Sequence, residues 1–217
     1  MKSEKGIVYV AYGEKAIRSV KTALGIVRRF NRTLPVCVIS EEKVPGCDMW
    51  IQHEDKDLGA RAIKTRVYFL SPYEQTLYMD ADTEVQCDPE PYFRLLKDVD
   101  MVMGQDPVRI FKNNRWQALD QSEIQATIKE TDGGEMLYYN SGVILFEKNV
   151  RVEALMRQWH TEWKRWKKQD QPALLRALYR CPVRIATMRN AFNTHQKSLA
   201  KFVYHAHRTA SRQGAPK

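Results

Sequence analysis

Short apolar runs alternate along this chain with segments of helical period, and that alternation limits the possible folds more than any other feature. IVYVA at 7–11 is a continuous apolar run, as suits a strand covered on both faces. Past a Tyr-Gly turn, Ile17, Val20, Leu24 and Val27 recur at helical spacing with Ala23 and Phe30 beside them, the pattern of an amphipathic helix. PVCVI (35–39), TLYM (76–79), DMVMG (100–104) and GVILF (142–146) read as further strands, and residues 59–70 as a helix ended by Ser71-Pro72. Strands alternating with helices predict a doubly wound α/β domain, a largely parallel central sheet flanked by helices. No repeat or linker divides it, so one domain is expected over residues 1–207, followed by a basic tail at 208–217.

Residues 107–136 interrupt the alternation. They are polar and rich in Asn and Gln, with a short helix predicted at SEIQATIKE and the flexible pair Gly133-Gly134, and they read as an excursion from the sheet. Such a segment either walls a site or is a plain surface insertion.

At 217 residues and 43% hydrophobic, the chain can bury a substantial core. It has no stretch of roughly 18 apolar residues, and its start, MKSEKGIVYV, lacks the apolar segment of a signal peptide. A cytoplasmic location is therefore expected, with peripheral contact at the inner membrane face left open. Cys37, Cys47, Cys87 and Cys181 are scattered without a CxxC pair, which argues against a zinc site or a disulfide framework and for buried free thiols. The formal charge of +9 favours anionic partners, whether nucleic acid, an anionic membrane or a phosphorylated small molecule.

Within LYMDADTEV, an apolar run meets Asp80 and Asp82. Ligands of open α/β sheets gather beyond the carboxyl ends of the strands, and side chains two apart on an extended chain leave from one face. Two hard oxygen ligands suit Mg²⁺ or Mn²⁺, ions that leave positions open for a substrate's phosphates. Asp-x-Asp also occurs at Asp55/Asp57 and Asp98/Asp100, so the bare spacing is weak evidence; only the middle copy directly follows a buried-strand run. A capped turn is the competing explanation.

Four segments, taken together, are more specific: IVYVAYGEKAIRSVKTAL, AIKTRVYFLSPYEQTLYMDADTEV, YNSGVILF and QDQPALL, in that order. The chain resembles the GT-A nucleotide-sugar glycosyltransferases, most closely glycosyltransferase family 8, the group that includes glycogenin and bacterial lipopolysaccharide hexosyltransferases. The resemblance implies a metal-dependent hexosyltransferase with a Rossmann-like GT-A fold, a UDP-sugar donor, Mn²⁺ or Mg²⁺ as cofactor and an unidentified acceptor that is a glycan, a lipid-linked glycan or a protein. It implies that Ala11, Tyr12 and Gly13 receive the nucleotide base and that Asp80, Ala81 and Asp82 hold nucleotide and metal. A third metal ligand is expected in FVYHAH, where His205 is favoured over His207. Lys64, with Arg61 one turn earlier, is expected to reach the phosphates or sugar. Asn140, Ser141 and Gly142 would contact the sugar region, with Asp170 and Gln171 against the reacting carbon and Asp106 as a further candidate.

Each assignment has a plainer counterpart. His205 could be a hydrogen-bonded structural residue, Lys64 or Arg61 part of a solvated helix face, Asn-Ser-Gly a turn, Asp170 a helix cap and Asp106 an Asp-Pro turn. The resemblance further implies retention of anomeric configuration with electrostatic and positional catalysis. The glycine- and lysine-containing segment that follows the histidine in glycogenin has no obvious counterpart, and Lys201, Arg208 or Arg212 are candidates to replace it.

Two other readings compete. A sugar nucleotidyltransferase would carry a glycine-rich, arginine-containing loop after the first strand, which AYGEKAIRS is not. A basic binding module would use RQWHTEWKRWKKQ (157–169), yet Val152, Leu155, Trp159, Trp163 and Trp166 follow helical spacing, which places the tryptophans in the core and the cations in water. No nucleic-acid partner is expected. A nucleotide-sugar-binding protein without turnover is a third alternative, and the oligomeric state is open.

Overall fold

The computed structural model describes residues 4–53, 59–113 and 120–206. The expectations that fall on Asp55, Asp57, His207, Arg208, Arg212 and the rest of the tail lie outside the described residues.

A seven-stranded sheet forms the centre. Its strands are β1 (Lys5–Ala11), β2 (Val36–Ser40), β3 (Met49–Gln52), β4 (Gln75–Asp80), β6 (Met101–Ile110), β7 (Leu137–Glu147) and β8 (Ile185–Met188), in the order β3-β2-β1-β4-β7-β6-β8. β1 pairs in parallel with β2 and β4, as do β2 with β3 and β6 with β8, whereas β7 runs antiparallel to both of its neighbours. A smaller sheet joins β5 (Thr83–Val85), β10 (Val203–His205) and β9 (Asn193–Thr194) in the order β5-β10-β9.

The unbroken apolar character of β1 has the physical cause the sequence indicated. Ile7, Tyr9 and Ala11 pack on one face with Ile17, Val20, Leu24 and Val27 of helix α1 (Glu14–Phe30). Val8 and Val10 pack on the other with Trp159 of α5 (Val150–Trp166) and Leu174 of α6 (Asp170–Arg180). Both faces are covered, so neither can alternate with polar residues.

Several boundaries differ from expectation. Residues 59–70 form two short helices, α2 (Gly59–Lys64) and α3 (Val67–Leu70), because the Thr65 hydroxyl takes the Ala62 carbonyl at 2.7 Å and the Arg66 N–H tightens onto Ile63. β6 continues through irregular pairing to Ile110, so residues 107–110 belong to the sheet and the excursion proper begins later, with its predicted helix as α4 (Gln121–Glu130). Asn140-Ser141-Gly142 is no turn, since all three lie inside β7. Asp80 is the last residue of β4 rather than the first beyond it. Of the four free cysteines only Cys37 is buried; Cys47, Cys87 and Cys181 are half-buried.

Candidate active site

The reversed direction of β7 assembles the site. In a parallel sheet the start of β7 would lie at the opposite edge from the end of β4. Run antiparallel, with Met79 opposite Val143, it brings Gly142 beside Asp80 one step on. The turn through Ala81 and Asp82, both buried, then leads into β5, where Thr83 pairs with His205 of β10. Strand register and the turn between β4 and β5 thus deliver Asp80, Asp82 and His205 to one corner.

Their ligand atoms all lie within 4.8 Å of one another. His205 Nε2 is 3.0 Å from Asp82 Oδ1 and 3.8 Å from Asp80 Oδ2. Neighbouring ligands of an octahedral ion with bonds near 2.1 Å sit about 3 Å apart, so the set needs little adjustment to close on Mg²⁺ or Mn²⁺. Gly142 keeps the corner open: a Cβ there would stand 2.6 Å from His205 Cε1 and 2.8 Å from Asp80 Oδ2. Two carboxylates and an imidazole this close together, beside a glycine whose replacement would push on two of them, fit a divalent ion.

Next to the corner stands Lys64, the last residue of α2 and itself buried. Its ammonium is 3.1 Å from Asp80 Oδ1, 2.9 Å from Asp170 Oδ2 and 3.2 Å from the Ser141 hydroxyl. Burial works against this charge, but Asp170 and Asp80 outweigh it and raise the Lys64 pKa. The Asp170 carboxyl moves the other way: burial opposes its ionisation, yet Lys64, the Ser141 hydroxyl donating at 2.6 Å and Arg61 hold it below the ordinary aspartate value. The plain solvated-face reading therefore fails for Lys64 and fits Arg61 better, which is largely exposed and reaches Asp170 from outside at 3.7 Å.

Asp170 is not a helix cap. It is the first residue of α6, behind Gln169 at the cap position, and its side chain turns to Lys64 and Ser141. Trp159 Nε1 donates to its carbonyl at 2.7 Å and pins the helix start. Gln171 accepts from the Ser141 N–H at 3.3 Å and donates to Asp106 Oδ2 at 2.9 Å. Asp106 and Pro107 lie inside β6 rather than in a free turn, and Asp106 accepts locally from the Val108 N–H as well as from Gln171.

Ala11 ends β1, and Tyr12 follows half-buried with its hydroxyl donating to the His53 carbonyl at 2.8 Å. Gly13 is needed for its backbone conformation, φ 78° at the start of α1; its N–H donates to Glu41 Oε1 at 2.9 Å. These three residues border the carboxyl end of the sheet one strand away from Asp80.

Two site residues escaped the sequence reading. Tyr78, two positions before Asp80 and so on the same strand face, donates its buried hydroxyl to Asp80 Oδ1 at 2.5 Å. The same-face rule that coupled Asp80 with Asp82 could have found it. Asn193, at the start of β9, donates to Asn140 Oδ1 at 2.7 Å, and nothing in the local sequence signals this.

Elsewhere, Trp159 and Trp163 occupy the core positions that helical spacing assigned to them, whereas Trp166, the last residue of α5, is only half-buried and lies outside that core. Among the cations nearby, Arg157 pairs with Glu153, Arg165 with Glu130 and Glu162, and Lys168 with Asp120. Lys201 lies toward the far end of β10, its carbonyl beside Cys87, and strand direction carries it away from the His205 corner. No helix among the described residues is long and apolar enough to cross a membrane.

The family profile described as glycosyl transferase family 8 matches residues 61–211. No curated protein sequence matches significantly. Solved structures that share the fold include the bifunctional glycosyltransferase WbbM, with TM-score 0.62 and 16% identity over 89% of this chain and 40% of that one. Mouse xyloside xylosyltransferase 1 gives TM-score 0.59 and 13% identity over 94% and 97%. The galactosyltransferase LgtC, solved with donor and acceptor sugar analogues, gives 0.58 and 15% over 87% and 74%. The chain thus spans less than half the length of the first of these and most of the other two.

Proposed function

From the premise that this chain belongs to glycosyl transferase family 8 and has the GT-A fold, we propose that it moves a hexose from a UDP-sugar to an acceptor hydroxyl with retention of configuration. The observation that carries this reading is the corner of Asp80, Asp82 and His205 at the end of the sheet, kept open by Gly142 and flanked by a buried lysine.

Asp80, Asp82 and His205 would hold Mn²⁺ or Mg²⁺. Bound there, the ion would supply positive charge to the donor's diphosphate and make it a better leaving group. Lys64 adds a second positive charge from the protein side, fixed in place by Asp170 and Ser141 before any ligand arrives. Preorganised charge of this kind favours the transition state, because it is not reoriented as the diphosphate gains negative charge. Arg61 stands toward solvent, where a flexible cation can follow an entering phosphate.

Tyr12 and Gly13 would receive the base, and Asn140 and Gln171 offer amides to the sugar. In the transfer, the bond from the anomeric carbon to the phosphate oxygen breaks. A bond to the acceptor oxygen forms on the same face, and the acceptor's proton passes to the departing diphosphate. No protein nucleophile is required. Glucose, galactose and N-acetylglucosamine are all compatible donors, and α4 with its neighbouring loop is the natural wall for an acceptor.

Calorimetric titration of UDP, with and without Mn²⁺, into the wild type and Asp82→Ala tests this. Heat of binding that requires both the ion and Asp82 is expected; wild type that binds no UDP in the presence of Mn²⁺ would refute the donor assignment.

A further inference from the structure

Asn140 lies in β7 two residues before Gly142, almost fully buried beside the metal corner. Its Oδ1 accepts the Gly142 N–H at 2.8 Å and Asn193 Nδ2 at 2.7 Å. A backbone N–H can only donate, so the Asn140 atom facing it is oxygen, and the Asn193 atom facing that oxygen is nitrogen. One backbone group therefore fixes both amides. With two donors on its oxygen, Asn140 turns its NH2 away from Gly142 and Asn193.

Asn193 is held firmly. Gly104 lies against it, close enough that a Cβ at 104 would be in van der Waals contact with Asn193 Cβ at 3.6 Å and Phe192 at 3.4 Å. Phe192 in turn packs on Phe202 with ring centroids 4.7 Å apart. Asn193 is 1% exposed, and its Oδ1 is buried with no hydrogen-bond partner among the described residues. An unmet acceptor of this kind costs stability, so packing alone does not account for an asparagine at this position.

We propose that Asn193 is a positioning residue: it locks the Asn140 carboxamide so that the NH2 of Asn140 donates to an oxygen of the bound nucleotide sugar, a sugar hydroxyl or a phosphate oxygen. This rests on the donor reading above. Asn193 itself touches no ligand and acts through Asn140.

Two measurements test it on the full chain. In ligand-free ¹H–¹⁵N spectra, the side-chain amide pair of Asn140, identified by its loss in Asn140→Ala, is expected to shift or broaden in Asn193→Ala. The same is expected in Asn193→Asp, which keeps the shape and puts an acceptor where the NH2 stood. An unmoved pair in a folded variant overturns the proposal. In Mn²⁺-dependent UDP-glucose calorimetry, Asn193→Ala is expected to bind about tenfold more weakly, the scale of one lost hydrogen bond. The double variant with Asn140→Ala should bind no more weakly than Asn140→Ala alone. Additive losses would mean that Asn193 acts independently and would overturn the proposal. Wild type that fails to bind both UDP and UDP-glucose removes the ligand assigned to Asn140, while the spectra still decide whether Asn193 orients it.

Discussion

Lys64 Nζ stands 2.9 Å from Asp170 Oδ2, joining the end of α2 to the start of α6, and the same ammonium is 3.1 Å from Asp80 Oδ1. A lysine that neutralises a metal ligand competes with the ion for it. Lys64→Met is therefore expected to bind Mn²⁺ severalfold more tightly while turnover falls about 100-fold, since the charge on the leaving group is lost. Opposite movement of the two quantities is the diagnostic; Mn²⁺ affinity that falls in Lys64→Met would show that no competition exists.

Gly142→Ala should remove the metal site with little change in the fold. The added methyl meets His205 Cε1 and Asp80 Oδ2, both members of the candidate ligand set, and His205 is buried while Asp80 is half-buried and tied to Lys64 and Tyr78. A loss of Mn²⁺ affinity of about tenfold or more is expected, on the scale seen when groups supporting a metal site are disturbed. Electron paramagnetic resonance of free Mn²⁺ would measure it, and wild-type affinity would refute the steric argument.

Arg176 is fully buried between α6, α4 and α5, with Nη2 3.0 Å from Glu123 Oε1 and Nε 3.0 Å from Glu162 Oε2. Removing one member of a buried ionic cluster strands the others. Arg176→Ala is expected to cost about 3–5 kcal/mol and to lower the midpoint of thermal unfolding by roughly 10 °C. A drop of a degree or two would mean that the glutamates find water or protons instead.

Asp100 gives the chain an acid-sensitive staple. Arg151 donates to it through Nε at 3.0 Å and Nη2 at 2.6 Å, while the Arg184 N–H donates at 2.9 Å and Asn149 Nδ2 at 3.1 Å. The Arg151 hydrogen bonds, followed by those of Arg184, outweigh burial and hold the carboxyl well below the usual carboxylate range. With the folded pKa depressed, the stabilisation is fully present above the unfolded value of about 3.9 and is lost as pH falls through that value toward the folded one. Asp100→Asn should lose about 2 kcal/mol at pH 7, with the gap from wild type narrowing below about pH 4. Urea unfolding at pH 7 and pH 3 would check this, and an equal gap at both would sink it.

Asp80 and Asp82 stood out because strand composition reports burial and Asp-x-Asp sits where a buried run ends, whereas Lys64, Asn140, Ser141, Gly142, Asp170, Gln171 and His205 were singled out only by the resemblance to glycosyltransferase family 8. The sequence could not show that β7 runs backwards, and this reversal brings Asn140, Ser141 and Gly142 beside the end of β4 at the candidate metal corner. Strand direction depends on which neighbours a strand finds, not on its own residues. Thr65 broke a helix that the apolar spacing carried through, because a hydroxyl competing for a carbonyl leaves no mark on periodicity. Asn193 was invisible for a related reason: its meaning lies in an oxygen of Asn140, fifty-three positions away.

The candidate triad also has an order in time. Asp80 and Asp82 leave the ribosome long before His205, the last residue of β10, so a growing chain carries both carboxylates before the imidazole that would complete the set. Metal capture by this triad, on the reading proposed above, would be a late event of synthesis, and a product truncated before β10 would lack both the proposed third ligand and the middle strand of the smaller sheet.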